Sequence, residues 1–187
     1  MNNNNLETIN GLNIGALKQF AGAVEQNSND GIAKFQVTTE WTGGTKSATS
    51  VKEMKLGEQQ LERDFEILID EPAELLGENQ AANPQEFLMA ALNACMIVGY
   101  VAAASLENVH LKSLRIETKG QLDLRGFLGL DENIKPGYEE LHYKVVVNGD
   151  GTQEQWNRIH ETVLRTSPNR WNIANAIQLN SEFVVES

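Results

Sequence analysis

Hydrophobic and polar positions recur with readable periods along most of this chain. Leu17, Phe20, Ala21 and Val24 fall at i, i+3, i+4 and i+7, which predicts an amphipathic helix ending in the breaker cluster Asn27 to Gly31. The period then changes to two. Phe35, Val37 and Trp41 alternate with Gln36, Thr38 and Glu40, a half-buried strand expected to turn at Gly43-Gly44 and to be joined by a return over Ser47 to Met54. Phe65, Ile67 and Ile69 alternate again after the polar stretch Gly57 to Glu62. Beyond Asn108, Leu114, Ile116, Leu122 and Leu124 share one face, and Leu141, Tyr143, Val145 and Val147 repeat the pattern with Glu140, His142 and Lys144 outward. Such alternation predicts antiparallel sheet with one packed face. Asn148 to Gly151 reads as a turn, and Phe183, Val184 and Val185 as a last strand. The Asn-rich start, Asn2 to Asn5, is expected to fray.

Helix boundaries carry their own signals. Asn83-Pro84-Gln85-Glu86 combines an Asn N-cap, Pro at N1 and Glu at N3, and opens an apolar helix. Thr152 with Gln155 forms a second capping box, ahead of a stripe of Trp156, Ile159 and Val163. Ser167, as N-cap before Pro168 at N1, restarts a short helix.

The helix over Phe87 to Leu106 sets the architecture. Its 20 residues carry no charge and 17 are apolar, which reaches the length of a membrane span. Six alanines, with Asn93, Gly99 and Ser105, dilute it, and nothing else in the chain looks membrane-embedded, so it reads as a core helix apolar all round. At ~1.5 Å per residue it is about 30 Å long. A compact chain of this size has a radius of gyration near ~16 Å. One sheet covers one side of a helix; keeping every side apolar calls for a second layer, most economically another copy of the chain about a two-fold axis.

Composition narrows the partners. A net charge of −11 and a pI of about 4.7 make nucleic acid and anionic membranes poor partners. One cysteine among 187 residues excludes an intrachain disulfide. The first residues show neither a basic nor an apolar leader, which points to the cytoplasm. No repeat or linker divides the chain; residues 1–187 read as one domain, with 1–30 an N-terminal extension carrying the amphipathic helix. His110, His142 and His160 lack paired metal-ligand spacing, and no nucleotide or hydrolase motif is present, so no metal or cofactor is expected. His142 and His160 read as solvated or capping residues, and the Gly126 to Leu130 loop as a cover for a partner or pocket.

The run Asn83-Pro84-Gln85-Glu86-Phe87-Leu88-Met89-Ala90-Ala91-Leu92-Asn93-Ala94-Cys95 resembles the signature of the OsmC/Ohr family of osmotically inducible and organic-hydroperoxide-resistance proteins. Gly120 to Gly126 resembles the strand and loop that follow, and Thr166-Ser167-Pro168 sits where the family has a second cysteine and a proline. The resemblance covers roughly Phe35 to Val185. It implies an α+β, OsmC-like fold in which antiparallel sheets wrap long central apolar helices in an intertwined homodimer.

It also implies thiol-dependent reduction of organic hydroperoxides in oxidative-stress defence. A first cysteine attacks the peroxide, a second closes a disulfide, and an arginine and a glutamate assist. Carried over, Cys95 is the attacking thiol and Ser167 occupies the resolving position, where a hydroxyl cannot capture a sulfenic acid. The reductant must then be an external thiol, whose identity stays unknown. Gln85 stands at the glutamate position with Glu86 beside it. Lys46 is the one cation between Trp41 and Ser50, and Arg63, Arg165 and Arg170 are further candidates. Gln85 and Cys95 are ~15 Å apart along a straight helix, so direct help would come across a dimer or from a bent helix end. Glu86 also has a structural role open to it, at N3 of the capping box. The alternative is a non-catalytic dimer that binds a small hydrophobic ligand and keeps Cys95 as a packing residue; weaker is an interaction protein with no ligand.

Overall fold

The computed structural model describes residues 8–186 and is built of two compact units, residues 1–90 and 91–187. The frayed start expected at Asn2 to Asn5 lies outside the described residues.

In the first unit, β1 (Thr8–Ile9) and β2 (Leu12–Asn13) form a small hairpin. Asn10 and Gly11 turn it, both at positive φ, the Asn-Gly chemistry of a tight hairpin turn. Helix α1 (Ile14–Gln26) follows, with the Asn13 side chain accepting the Ala16 N–H at 2.9 Å. Ile14 is its buried residue, while Phe20 from the expected apolar stripe is exposed.

A four-stranded antiparallel sheet comes next, from β3 (Ala33–Phe35), β4 (Thr38–Gly43), β5 (Lys46–Leu56) and β6 (Gln59–Ile69). The strand expected over Phe35 to Trp41 is broken in two, and both pieces pair with β5 along the edge opposite β6. The polar stretch from Gly57 narrows to a two-residue turn, and β6 begins at Gln59. Trp41, Ser47 and Ile69 are in register across β4, β5 and β6, as are Thr39, Thr49 and Ile67, and Val51 faces Phe65. These residues alternate onto one apolar face. Expected to be half-buried, it is open at Trp41, 77% exposed, and at Phe65, 56% exposed, while Thr49 between them is buried and Ile67 and Ile69 are half-buried.

Asp70 organises the chain after β6. Its carboxylate, 1% exposed, accepts hydrogen bonds from Thr45 Oγ1 at 2.7 Å, from the Glu71 N–H at 2.8 Å, and from the Glu78 and Gln80 N–H groups at 3.1 Å each. Burial pushes the Asp70 carboxyl up, but these four bonds outweigh it and hold it down to about 2. The loop so gathered delivers Asn83 to the start of α2 (Pro84–Leu106). There the reciprocal box forms as the sequence implies: Glu86 N–H to Asn83 Oδ1 at 2.9 Å and Asn83 N–H to Glu86 Oε2 at 2.8 Å.

Helix α2 is long and apolar enough to cross a membrane by length and composition. Its buried residues include Leu92, Met96, Tyr100 and Ala104, one stripe at a spacing of four. In the second unit this stripe packs with Val109, Ile116, Ile159 and Val163 as one core. Ile116 comes from β7 (Leu111–Gly120), paired antiparallel with β8 (Leu141–Gly149) so that Ile116 faces Val145 and Leu114 faces Val147. Ile159 and Val163 come from α4 (Gln153–Thr166), whose Thr152–Gln155 capping box is present. Away from the stripe, Val98 is 69% and Leu106 50% exposed.

Two sequence expectations are corrected, and one apolar segment is left open. β7 ends at Gly120, so Leu122 lies outside it and Leu124 opens the short helix α3 (Leu124–Phe127), capped by Asp123. The apolar Gly126 to Leu130 segment, expected to cover a partner or a pocket, is open in the single chain: Phe127 is 70% and Leu130 71% exposed. Phe183 to Val185 form no strand, because no neighbouring strand among the described residues supplies ladder bonds; the chain after α5 (Pro168–Ala174) has no regular structure as far as Glu186.

Candidate functional site

The second unit holds Cys95, half-buried on α2 beside the buried Met96. The corner between α4 and α5 is built against it. Pro168 has no N–H to continue α4, so the helix ends at Thr166 and α5 starts with Pro at N1. The Leu164 carbonyl, which a residue with an N–H at 168 would have satisfied, accepts Arg170 Nη1 at 2.8 Å. Arg170 Nε donates to the Tyr143 hydroxyl at 3.1 Å, tying the corner to β8 as well.

Ser167 stands at the N-cap of α5, yet its side chain makes no capping bond there, contrary to the sequence expectation. It is 4% exposed, and its hydroxyl donates to Cys95 Sγ at 3.5 Å. The Asn169 N–H donates to the same sulfur at 3.5 Å, and Asn169 Nδ2 donates to the Ala91 carbonyl at 2.9 Å. Two donors thus converge on Sγ. Both are N–H or O–H groups aimed at the sulfur from the α4–α5 corner, so they fix where Sγ stands. Among the described residues no cation bonds to it. Arg170 is engaged with Tyr143 and Leu164, and Arg165 is exposed on the last turn of α4.

The remaining candidates lie in the first unit, each with a local role. Lys46 pairs with Glu78 at 2.9 Å, and the Arg63 guanidinium lies 4.8 Å from the Phe65 ring centre. Glu86 closes the capping box, and Gln85 is half-buried in the first turn of α2. The structure therefore brings Cys95 together with Ser167 from among the expected residues, and adds Asn169, which the sequence reading did not single out. Its position directly after the Ser167-Pro168 helix restart is the one local signal that could have pointed to it.

A second polar feature was also missed. His160, expected to be a solvated or capping residue, hydrogen-bonds through Nδ1 to the Tyr100 hydroxyl, with the rings stacked at 6.0 Å. Burial, and then the neighbouring Tyr143, push the Tyr100 phenol up to about 12. Both line a cavity of about 490 Å³ with Tyr143, Val145, Trp156 and Leu164; Cys95 is not on its wall. His142 instead pairs with Glu140 at 3.0 Å on the outer face of the sheet. Among the described residues no three His, Cys, Asp or Glu side chains gather as a metal site.

The family model for OsmC-like proteins matches residues 77–182, more than half of the chain and the whole of the Cys95 corner. No curated protein sequence matches. Solved structures do. An OsmC-like protein from Mycoplasma pneumoniae shares 13% identity at a TM-score of 0.59, over 75% of this chain and 87% of that one. An OsmC-like protein of unknown function from Vibrio cholerae shares 14% at a TM-score of 0.54, over 74% and 92%. At such identities the likeness is one of fold: α+β, with antiparallel sheets and helices in the OsmC arrangement. With that match over its second half and one cysteine at the centre of the matched helix, this chain belongs to the OsmC-like protein family as a divergent member.

Proposed function

We propose that this protein reduces organic hydroperoxides with Cys95 as the attacking thiol and an external thiol as reductant, in oxidative-stress defence in the cytoplasm. The observation that supports this most is the pair of donors, Ser167 Oγ–H and Asn169 N–H, aimed at Cys95 Sγ. In the reaction the sulfur, as thiolate, attacks the terminal oxygen of ROOH. The O–O bond breaks, ROH departs after taking up a proton, and Cys95 is left as sulfenic acid. An external thiol then displaces water to form a mixed disulfide with Cys95, and a second thiol releases the reduced cysteine as its own disulfide forms. The external thiol is required because Ser167 cannot provide the second sulfur.

The working form is a homodimer, in which the whole chain acts as one domain. Two open apolar surfaces support this: the sheet face with Trp41 and Phe65, and the side of α2 with Val98. Exposed patches of this kind mark association surfaces, and a two-fold axis covers like with like. It also makes α2 a core helix rather than a membrane span. Steady-state consumption of cumene hydroperoxide with a dithiol tests the activity. Cys95→Ala should abolish it; equal consumption by the variant would refute the reading.

A second reading is a non-catalytic binder of a small hydrophobic molecule. It is favoured by the absence of a cation bonded to Cys95 among the described residues and by the cavity beside Tyr100 and Trp156. Under that reading Cys95→Ala leaves ligand binding unchanged.

A further inference from the structure

We propose that Asn169 is a positioning residue for Cys95, holding the sulfur's two donors in place by clamping α5 to the turn of α2 that carries the cysteine. The proposal rests on the reading of Cys95 as a reactive thiol. Asn169 touches that turn twice. Its side-chain amide donates to the Ala91 carbonyl at 2.9 Å, and its backbone N–H donates to Cys95 Sγ at 3.5 Å. In an α-helix the Ala91 carbonyl is the acceptor for the Cys95 N–H, so the clamp grips the same peptide turn that fixes the cysteine's position. The carbonyl has a second lone pair for it.

The geometry makes the two contacts interdependent. A hydrogen bond from backbone to sulfur is long and weak, and by itself would not hold a helix corner. The 2.9 Å amide–carbonyl bond is of ordinary strength and sits one residue side chain away from it. Arg170, the next residue, fixes the other side of the corner through Leu164 and Tyr143. With both in place, Ser167 Oγ and Asn169 N are held on the sulfur together. Without the amide, the corner keeps only its Arg170 side, and the donors drift from Sγ.

Asn169→Ala tests this, because it retains the backbone N–H and removes only the clamp. The readout is the alkylation rate of Cys95 by iodoacetamide as a function of pH, which requires no peroxidase turnover. Losing one hydrogen bond's worth of support for the charged sulfur should slow alkylation about fivefold near pH 7. The difference should shrink as the pH is raised. A purely structural clip would lower or raise the rate by the same factor at every pH, and that result, or a profile identical to wild type, overturns the proposal. Asn169→Gln keeps the amide on a longer arm and should recover part of the rate at neutral pH; no recovery in a folded protein also counts against it. Wild-type protein treated with cumene hydroperoxide reports separately on the underlying reading: if Cys95 alkylates with the expected profile yet resists the peroxide, the reading fails and the positioning role stands.

Discussion

Val98 offers the sharpest test of the dimer. It lies two residues from Met96, about 200° round the helix from the buried stripe, and is 69% exposed in the single chain. If α2 is covered by a second copy, the remaining two-thirds of each valine side chain becomes buried. Full burial of a valine is worth about 1.5–3 kcal/mol, so each copy contributes about 1–2 kcal/mol and the pair about 2–4 kcal/mol. Val98→Asp removes this and also places a carboxylate in each half of an apolar seam, at a further cost of several kcal/mol per unpaired ion. A total above about 5 kcal/mol weakens association at least ~10³-fold. Sedimentation at micromolar concentration should give wild type at twice the 20.7 kDa chain mass and Val98→Asp at the chain mass. A wild-type monomer, or a Val98→Asp protein as dimeric as wild type, would refute the reasoning.

Other consequences can be measured on the same protein. Met96, 0% exposed at the centre of the second unit's core, should cost about 2–5 kcal/mol when cut to alanine, read by urea denaturation. Asp70, held at about 2 in the folded chain against an ordinary 3.8, binds its proton later than the unfolded chain does. Its contribution is complete above about pH 4 and is lost as pH falls toward 2, so Asp70→Asn should flatten the acid limb of melting temperature against pH. Tyr100 has the opposite sign: its proton is held to about 12 against 10.0, so stability should decline between those values and Tyr100→Phe should remove that decline in alkaline unfolding.

What was legible in the sequence was what local chemistry decides. The Asn83–Glu86 and Thr152–Gln155 boxes sit where their side chains and spacing put them, because a cap needs only its own turn. The strands β7 and β8 followed from alternation, since each supplies the other's ladder within the chain. Alternation says that one face wants burial but not what will bury it. Trp41 and Phe65 therefore stand open, and Phe183 to Val185 stay out of a sheet. The β1–β2 hairpin was hidden because two-residue strands show no period, although Asn10-Gly11 was a turn signal in plain view. At the site, Ser167 had a local role open to it as a cap. Its hydroxyl goes instead to a sulfur 72 residues earlier, and no local rule anticipates a tertiary partner. Asn169 was invisible for the same reason.

The fate of one sulfur tests the proposed chemistry most directly. Wild-type protein should be given one equivalent of cumene hydroperoxide without reductant, then analysed by peptide mass spectrometry. The peptide carrying Cys95 should gain about 16 Da, as sulfenic acid, and lose it again on adding a small thiol. A Cys95 peptide of unchanged mass, with the hydroperoxide still intact in solution, would contradict the proposed chemistry and leave the cysteine a packing residue.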